Sequence, residues 1–206
     1  MPIKSDREYR RIDVTGLEVR EEQDGKKIVE GYATTFGNEY RLWGDAYYEV
    51  RESIDAHAFD NADMADVIMQ YDHEGRVFAR KSNGTLEVAP DEKGLHIRAD
   101  LGGTELGRQL YEEIRGGYTD KMSFGFTVSK YERTEEQVEA KTVVHRKITG
   151  VKKLYDVSAV SLPANDATEI SARSFSEGVI AEIEKELLAV QARKRKIQKI
   201  RIMMEV

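Results

Sequence analysis

The chain has 206 residues, which is enough to bury one hydrophobic core and leaves room for an appendage. Its formal net charge of -6 argues against a dedicated nucleic-acid binder, and the absence of cysteine excludes disulfides, thiolate catalysis and cysteine zinc sites. Because no apolar run reaches the roughly 18 residues of a membrane span and the N-terminus is charged, the composition predicts a soluble protein that stays in the cytoplasm.

The first half of the chain predicts two β-hairpins and a short buried strand between them. Four strand-like runs form two pairs, each joined by a turn: 12–20 with 28–36, and 84–90 with 94–101. The turn of the first pair contains Asp24-Gly25, a dipeptide that strongly favours hairpins. Between the pairs, the β-branched run Val67-Ile68-Met69 predicts a strand that ends shortly before His73.

The second half predicts one helix and further strands. Thr104 is expected to cap a helix that runs to about Arg115 and stops at Gly116-Gly117. A strand follows, then a polar loop over about 134–140 and a last β region over 142–162. Many short strands with one or two helices predict an α+β, mainly β domain, built as a small closed or partly open β-barrel flanked by helices.

The composition changes after about Ser176. From there to the end the chain contains no proline, helix formers dominate, and apolar residues recur at spacings of three and four. The first half of this stretch is acidic and the second half basic. These patterns predict a main domain over residues 1–175, with the barrel core at about 12–172, and a long amphipathic helical arm over 176–206 that projects from the domain or docks on a partner.

Ser123 stands out on the strand that follows the predicted helix. Met122, Phe124 and Phe126 alternate onto one apolar face, which leaves Ser123 and Gly125 together on the other. A small hydroxyl between two large apolar residues, with glycine two positions on to leave open space, suits an exposed nucleophile on a rigid strand.

A serine nucleophile needs a base and a group that orients the base, and the chain offers His73 and Asp156. His73 follows a buried strand, although a structural histidine is the alternative. Asp156 lies within an apolar strand, although a salt bridge to a lysine or arginine would also explain it. The remaining histidines are interpreted as surface or packing residues: His57, His96 and His145. The order His, Ser, Asp matches none of the familiar triads, so the residues alone leave a triad as one option.

Several short motifs occur in an order that favours one protein family. They are Glu30-Gly31-Tyr32-Ala33 with Phe36, Phe59, His73, Asp91 with Gly94-Leu95, Met122-Ser123-Phe124-Gly125-Phe126, and Asp156-Val157-Ser158 leading into Pro163-Ala164-Asn165 and Ala167. With these motifs, region 28–172 resembles the prohead proteases of tailed bacteriophages, serine endopeptidases that process capsid proteins during head maturation.

The resemblance implies a fold similar to that of the herpesvirus assembly proteases, a β-barrel surrounded by helices. It also implies that Ser123 is the nucleophile and His73 the general base. The third family position usually carries glutamate, and here Asp156 is one methylene shorter, so it would reach the histidine through a backbone shift or a water molecule. No cofactor or metal is implied. For the oxyanion hole, the backbone N–H groups of Gly116-Gly117 are one option.

The expected function is cleavage of capsid and/or scaffold proteins inside the prohead, in the host cytoplasm, together with self-cleavage of the tail or the N-terminal segment. The expected partners are the major capsid protein and/or a scaffold domain as substrate; a homo-oligomer is left open, and no membrane or nucleic acid is expected. One alternative is a non-enzymatic internal scaffold or capsid assembly protein of the same fold, with Ser123 as a packing residue. Another is a metal-dependent hydrolase using Asp72, His73 and Glu74, which is disfavoured because adjacent strand residues point to opposite sides.

Overall fold

A computed structural model describes residues 7–12, 17–161 and Lys185. The chain divides into two compact units, Met1–Asp166 and Ala167–Val206. In the second unit the description is limited to Lys185, which is helical. The described part of the first unit is mainly β, with 60% strand. Within the described residues, no helix combines the length and apolar character needed to cross a membrane.

The described chain contains eleven strands and one α-helix. The strands are β1 (Glu8–Ile12), β2 (Glu18–Glu21), β3 (Lys27–Thr35), β4 (Tyr40–Gly44), β5 (Tyr48–Ile54), β6 (Ile68–Tyr71), β7 (Glu74–Arg80), β8 (Leu86–Pro90), β9 (Gly94–Asp100), β10 (Lys121–Val138) and β11 (Lys141–Val160). The helix, α1 (Glu105–Arg115), lies between β9 and β10.

The first sheet has seven strands and is organised around β11. Its main path runs β1-β10-β11-β5-β4, and β6 joins β11 to β7. β10 and β11 form a long antiparallel hairpin. On its other edge, β11 pairs in parallel with β5 over Thr142–Ile148 and with β6 over Asp156–Ala159. The last residues of β11 therefore lie between β10 on one side and β6 on the other.

The second sheet has four strands in the order β2-β3-β9-β8, and its apolar residues share one core with the first sheet. Val29 and Ile97 contribute from the second sheet, while Met69, Phe124 and Phe126 contribute from the first. The rings of Phe124 and Phe126 are stacked, with centroids 4.6 Å apart. Burying side chains of this size contributes roughly 1.5–3 kcal/mol each, so the alternating residues of β10 fix which of its faces points inward.

The local turn and cap predictions are confirmed. Asp24-Gly25 lies in the turn between β2 and β3, with Gly25 at a φ of 82°, and β8 and β9 form the second hairpin. Thr104 caps α1, because its side-chain hydroxyl accepts a hydrogen bond from the N–H of Gly107 at 2.9 Å. Such a cap contributes about 1 kcal/mol.

The predicted barrel is wrong. The strands form two open sheets, with β1 and β4 at the ends of one path and β2 and β8 at the ends of the other. A barrel requires the terminal strands to pair with each other, and the strands of the described residues do not do so. The expected flanking helices reduce to α1 within the described residues. The long C-terminal helix predicted over 176–206 lies outside the described residues, apart from Lys185.

The polar loop predicted over 134–140 is also wrong. β10 continues to Val138 and β11 begins at Lys141, so only two residues separate the strands. Polar residues are compatible with this outer part of the hairpin because most of its β10 side chains are exposed and need no apolar partner.

Candidate functional site

Strand register places the sequence-predicted residues of β10 and β11 on one surface. Ser123 lies opposite Ser158, and Gly125 lies opposite Asp156. Because side chains alternate along a strand, Asp156 and Ser158 project from the same face of β11. The carboxylate and the two hydroxyls therefore converge on one patch of the sheet.

His73 reaches this patch from the turn between β6 and β7. Asp72 and His73 form a two-residue hairpin turn with φ values of 48° and 62°, between Tyr71 and Glu74, which pair with each other. Positive φ at both positions is the pattern of a type I′ turn and is uncommon for residues other than glycine. The N–H of Asp72 donates to the carbonyl of Ala159 at 3.1 Å, which ties the turn to β11. The strained turn and this hydrogen bond hold the imidazole over the sheet.

The three candidate residues form a continuous chain of contacts. His73 Nδ1 lies 2.5 Å from Asp156 Oδ1, and His73 Nε2 lies 2.5 Å from Ser123 Oγ. An ionised carboxylate can only accept, so Asp156 favours the tautomer with the proton on Nδ1. That tautomer leaves the Nε2 lone pair facing Ser123. The arrangement can therefore accept the hydroxyl proton and stabilise the resulting imidazolium.

Asp156 contacts His73 directly, so its shorter side chain needs no bridging water to reach the imidazole. The close approach depends on Gly125, which lies opposite Asp156 on β10. A Cβ added at Gly125 would overlap Asp156 Oδ2 and would lie 2.8 Å from Tyr9 Cε1. The glycine makes room for the carboxylate, so the expected open space beside Ser123 is absent.

The sequence predicted an exposed nucleophile, and this is wrong for the structure described. The exposed fractions of Ser123 and Asp156 are 0%, and that of the His73 side chain is 4%. Residues from the N-terminal segment cover the site. Arg7 forms an ion pair with Asp156 Oδ2, and the ring of Tyr9 lies edge-on to the His73 ring at a centroid distance of 4.5 Å.

Three residues at the site were not identified as site residues from the sequence: Ser158, Arg7 and Tyr9. The Ser158 hydroxyl donates to Asp156 Oδ1 at 3.0 Å and lies 3.2 Å from His73 Nδ1. Its spacing of two from Asp156 on a strand is a signal that could have identified it. Arg7 lies 149 residues from Asp156 in the chain, and no local pattern connects them.

A buried cluster of charges lies beside this N-terminal segment. It contains two carboxylates, two guanidinium groups and one phenol: Glu8, Glu52, Arg10, Arg146 and Tyr40. Burial by itself would raise the pKa of the Glu52 carboxyl, but the charges of Arg10 and Arg146 outweigh burial and lower that pKa. Burial and the Glu52 charge raise the pKa of Tyr40 well above its ordinary value. Glu52 is therefore an ionised, fully paired centre of the cluster.

The other histidines lie outside the site, each beside a carboxylate. His57 Nδ1 is 3.1 Å from Asp60, and His96 Nε2 is 3.1 Å from Glu30. His145 Nδ1 is 2.6 Å from Glu39, and this hydrogen bond is the main reason why the pKa of His145 is raised.

The Gly116-Gly117 amides are poor candidates for an oxyanion hole. The N–H of Gly116 donates to the carbonyl of Glu112 at 2.8 Å, and that of Gly117 donates to Ile114 at 3.0 Å. Both donors complete the C-terminal turn of α1. Within the described residues, no group of three or more acidic or histidine side chains is arranged to hold a metal ion.

Comparisons with known proteins identify a family for this chain. The family model described as caudovirus prohead serine protease matches residues 15–181. A similar solved structure is the capsid assembly protease gp21 of bacteriophage T4, which is 12% identical. That likeness covers 76% of this chain and 98% of the T4 chain, with a TM-score of 0.44. No curated protein matches the chain.

Proposed function

Because the chain belongs to the caudovirus prohead serine protease family, we propose that Ser123, His73 and Asp156 are the catalytic groups of a serine endopeptidase. Proteins of this family are capsid-maturation proteases that act in the prohead. The observation that carries the residue assignment is the direct chain of contacts from Ser123 Oγ through both His73 nitrogens to Asp156 Oδ1.

The proposed reaction is acyl transfer in two steps. Ser123 Oγ attacks a peptide carbonyl carbon while His73 Nε2 takes the hydroxyl proton, and Asp156 stabilises the imidazolium. His73 then gives that proton to the leaving amine as the C–N bond breaks. Water, deprotonated by His73, attacks the resulting ester, and Ser123 regains its proton as the new carboxylate leaves.

The proposed substrates are the major capsid protein, its scaffold domain, or both, and the enzyme also removes part of its own N-terminal segment or tail. We propose self-cleavage because a protease enclosed in the prohead meets its own chain ends at high local concentration. Mass spectrometry of the chain before and after head maturation tests this part. Active enzyme that keeps both ends through maturation would contradict self-cleavage.

The test of the catalytic assignment is coexpression with the major capsid protein of the same phage. Ser123→Ala and His73→Ala should each abolish capsid protein trimming, since the first removes the nucleophile and the second removes the base. Ser129→Ala and His96→Ala are matched controls, because Ser129 is an exposed residue of the same strand and His96 pairs with Glu30 outside the site. Both controls should trim at the wild-type rate.

If Ser123→Ala still yields the trimmed product, the assignment is wrong and the non-enzymatic scaffold alternative gains support. Circular dichroism and thermal unfolding of each variant separate loss of chemistry from loss of fold.

A further inference from the structure

The candidate nucleophile cannot meet a substrate in the conformation described. Ser123 has no exposed surface, and the His73 side chain is almost completely covered. Attack on a peptide requires the carbonyl carbon to come within about 3–3.5 Å of Oγ. Some element that covers Ser123 must therefore move before the reaction.

The covering element is β1 together with Arg7. β1 pairs antiparallel with β10, from Glu8 opposite Phe126 to Ile12 opposite Met122, which places Arg11 opposite Ser123. Among the described strands, β1 is the end of the sheet path and pairs with β10 alone. It therefore occupies the edge of the nucleophile's own strand. An exposed strand edge is a surface on which an extended peptide can bind by adding one more strand.

β1 also makes a specific contact with the nucleophile. The Ser123 hydroxyl donates to the backbone carbonyl of Arg10 at 2.9 Å, while His73 Nε2 lies 2.5 Å from the Oγ atom of Ser123. A serine hydroxyl has one proton, so it cannot donate to both at once. When the proton is directed at Arg10, the base does not receive it. A backbone carbonyl of β1 thus lies against the nucleophile in a geometry that diverts its proton.

We propose that β1 occupies the binding position of the substrate, and that an extended segment of the substrate replaces it on the β10 edge before cleavage. This inference rests on the proposed function, because it assigns a role to β1 relative to Ser123 as nucleophile. The substrate is then recognised largely through backbone hydrogen bonds along Met122–Phe126, in an extended conformation. While β1 stays in place, the protease is inactive.

Side chains outside the active site hold β1 in this position. Arg10 hydrogen-bonds to both carboxylate oxygens of Glu52, and Glu8 pairs with Arg146 at 2.9 Å. Glu52 also pairs with Arg146. The charges of the two glutamates and the two arginines sum to zero. When Glu8 and Arg10 are removed together, Glu52 and Arg146 remain as an ion pair with no net charge. The double change weakens the attachment of β1 without leaving a buried charge alone.

The test therefore compares the wild type with the double variant Glu8→Ala/Arg10→Ala. A fluorophosphonate probe measures the rate of covalent labelling at Ser123, and hydrogen exchange measures the opening of β1. We expect labelling to accelerate about tenfold or more, with faster exchange confined to β1 and the β10 amides that pair with it, because charge-assisted hydrogen bonds that favour the closed state are removed. The matched control is Glu22→Ala/Arg98→Ala, which removes a partly buried 2.9 Å ion pair from the second sheet and should label at the wild-type rate.

Each outcome separates this inference from the proposed function. Faster exchange of β1 with labelling within about twofold of the wild type overturns the role of β1 but leaves Ser123 as the nucleophile. Absence of labelling at Ser123 in both folded proteins overturns the proposed function and the inference with it. If the double variant does not fold, Glu8→Gln provides the second measurement, because it removes one charge and keeps the Arg10–Glu52 pair. It should still accelerate labelling, and an unchanged rate with faster β1 exchange overturns the inference.

Discussion

Replacing Asp156 with asparagine should lower kcat by about 10⁴-fold while leaving the fold intact. Asparagine has nearly the same shape as aspartate, so it fits the fully buried position beside Gly125. What changes is the group that faces His73 Nδ1 at 2.5 Å. An amide can present its NH₂ group there, which favours the tautomer with the proton on Nε2. That tautomer cannot accept the Ser123 hydroxyl proton.

A 10⁴-fold loss corresponds to about 5.4 kcal/mol of activation free energy. The free energy of unfolding should change by less than about 2 kcal/mol, because the amide NH₂ that replaces Oδ1 can donate a hydrogen bond to the Ser158 hydroxyl while the Arg7 ion pair is lost. Asp156→Glu should give an intermediate kcat. It keeps the charge, but one extra methylene in a filled site costs about 1–3 kcal/mol.

Steady-state cleavage of a capsid-derived peptide gives kcat and KM, and urea unfolding gives stability. Asp63→Asn is the matched control, because Asp63 pairs with Lys153 at 2.6 Å outside the site. The control should keep wild-type kcat. If Asp156→Asn remains within about tenfold of the wild type, the carboxylate does not orient the base and the reasoning from the 2.5 Å contact is refuted.

Two further predictions concern the close packing of the site and the charge of a surface histidine. Gly125→Ala should lower kcat on the order of 100-fold and destabilise the fold by about 1–3 kcal/mol, since its Cβ would displace the Asp156 carboxylate; unchanged kinetics would contradict the packing. The pair of His145 with Glu39 raises the pKa of the histidine above 6.5, so its contribution to stability is complete below about pH 6.5 and is lost as pH rises through the raised value. Glu39→Gln should therefore destabilise the protein more at about pH 6 than at about pH 9, as measured by urea unfolding, and an equal effect at both pH values would show that the pair does not depend on charge.

Much of the candidate site could be predicted from short motifs, but its environment could not. Alternation along β10 correctly separated Ser123 from the core residues Met122 and Phe124. It did not show that the second face of the strand is also buried, because the groups that cover it come from the N-terminal segment and from the turn that carries His73. The β-barrel prediction failed for a similar reason. The alternation of apolar residues identifies a strand, but it does not predict which strand edges pair with each other.

The sequence by itself determined the features that depend on a few neighbouring residues. Asp24-Gly25 forms its turn and Thr104 caps its helix, because turn and cap chemistry acts over two to four positions. The short motifs around Ser123 and Asp156 were likewise sufficient to indicate the protein family. Only the tertiary structure decided that Arg10, 113 residues before Ser123, places its carbonyl against the nucleophile. Backbone edges carry the same donors and acceptors in every sequence, so the partner of the β10 edge is chosen by long-range packing and by the buried Glu52 cluster.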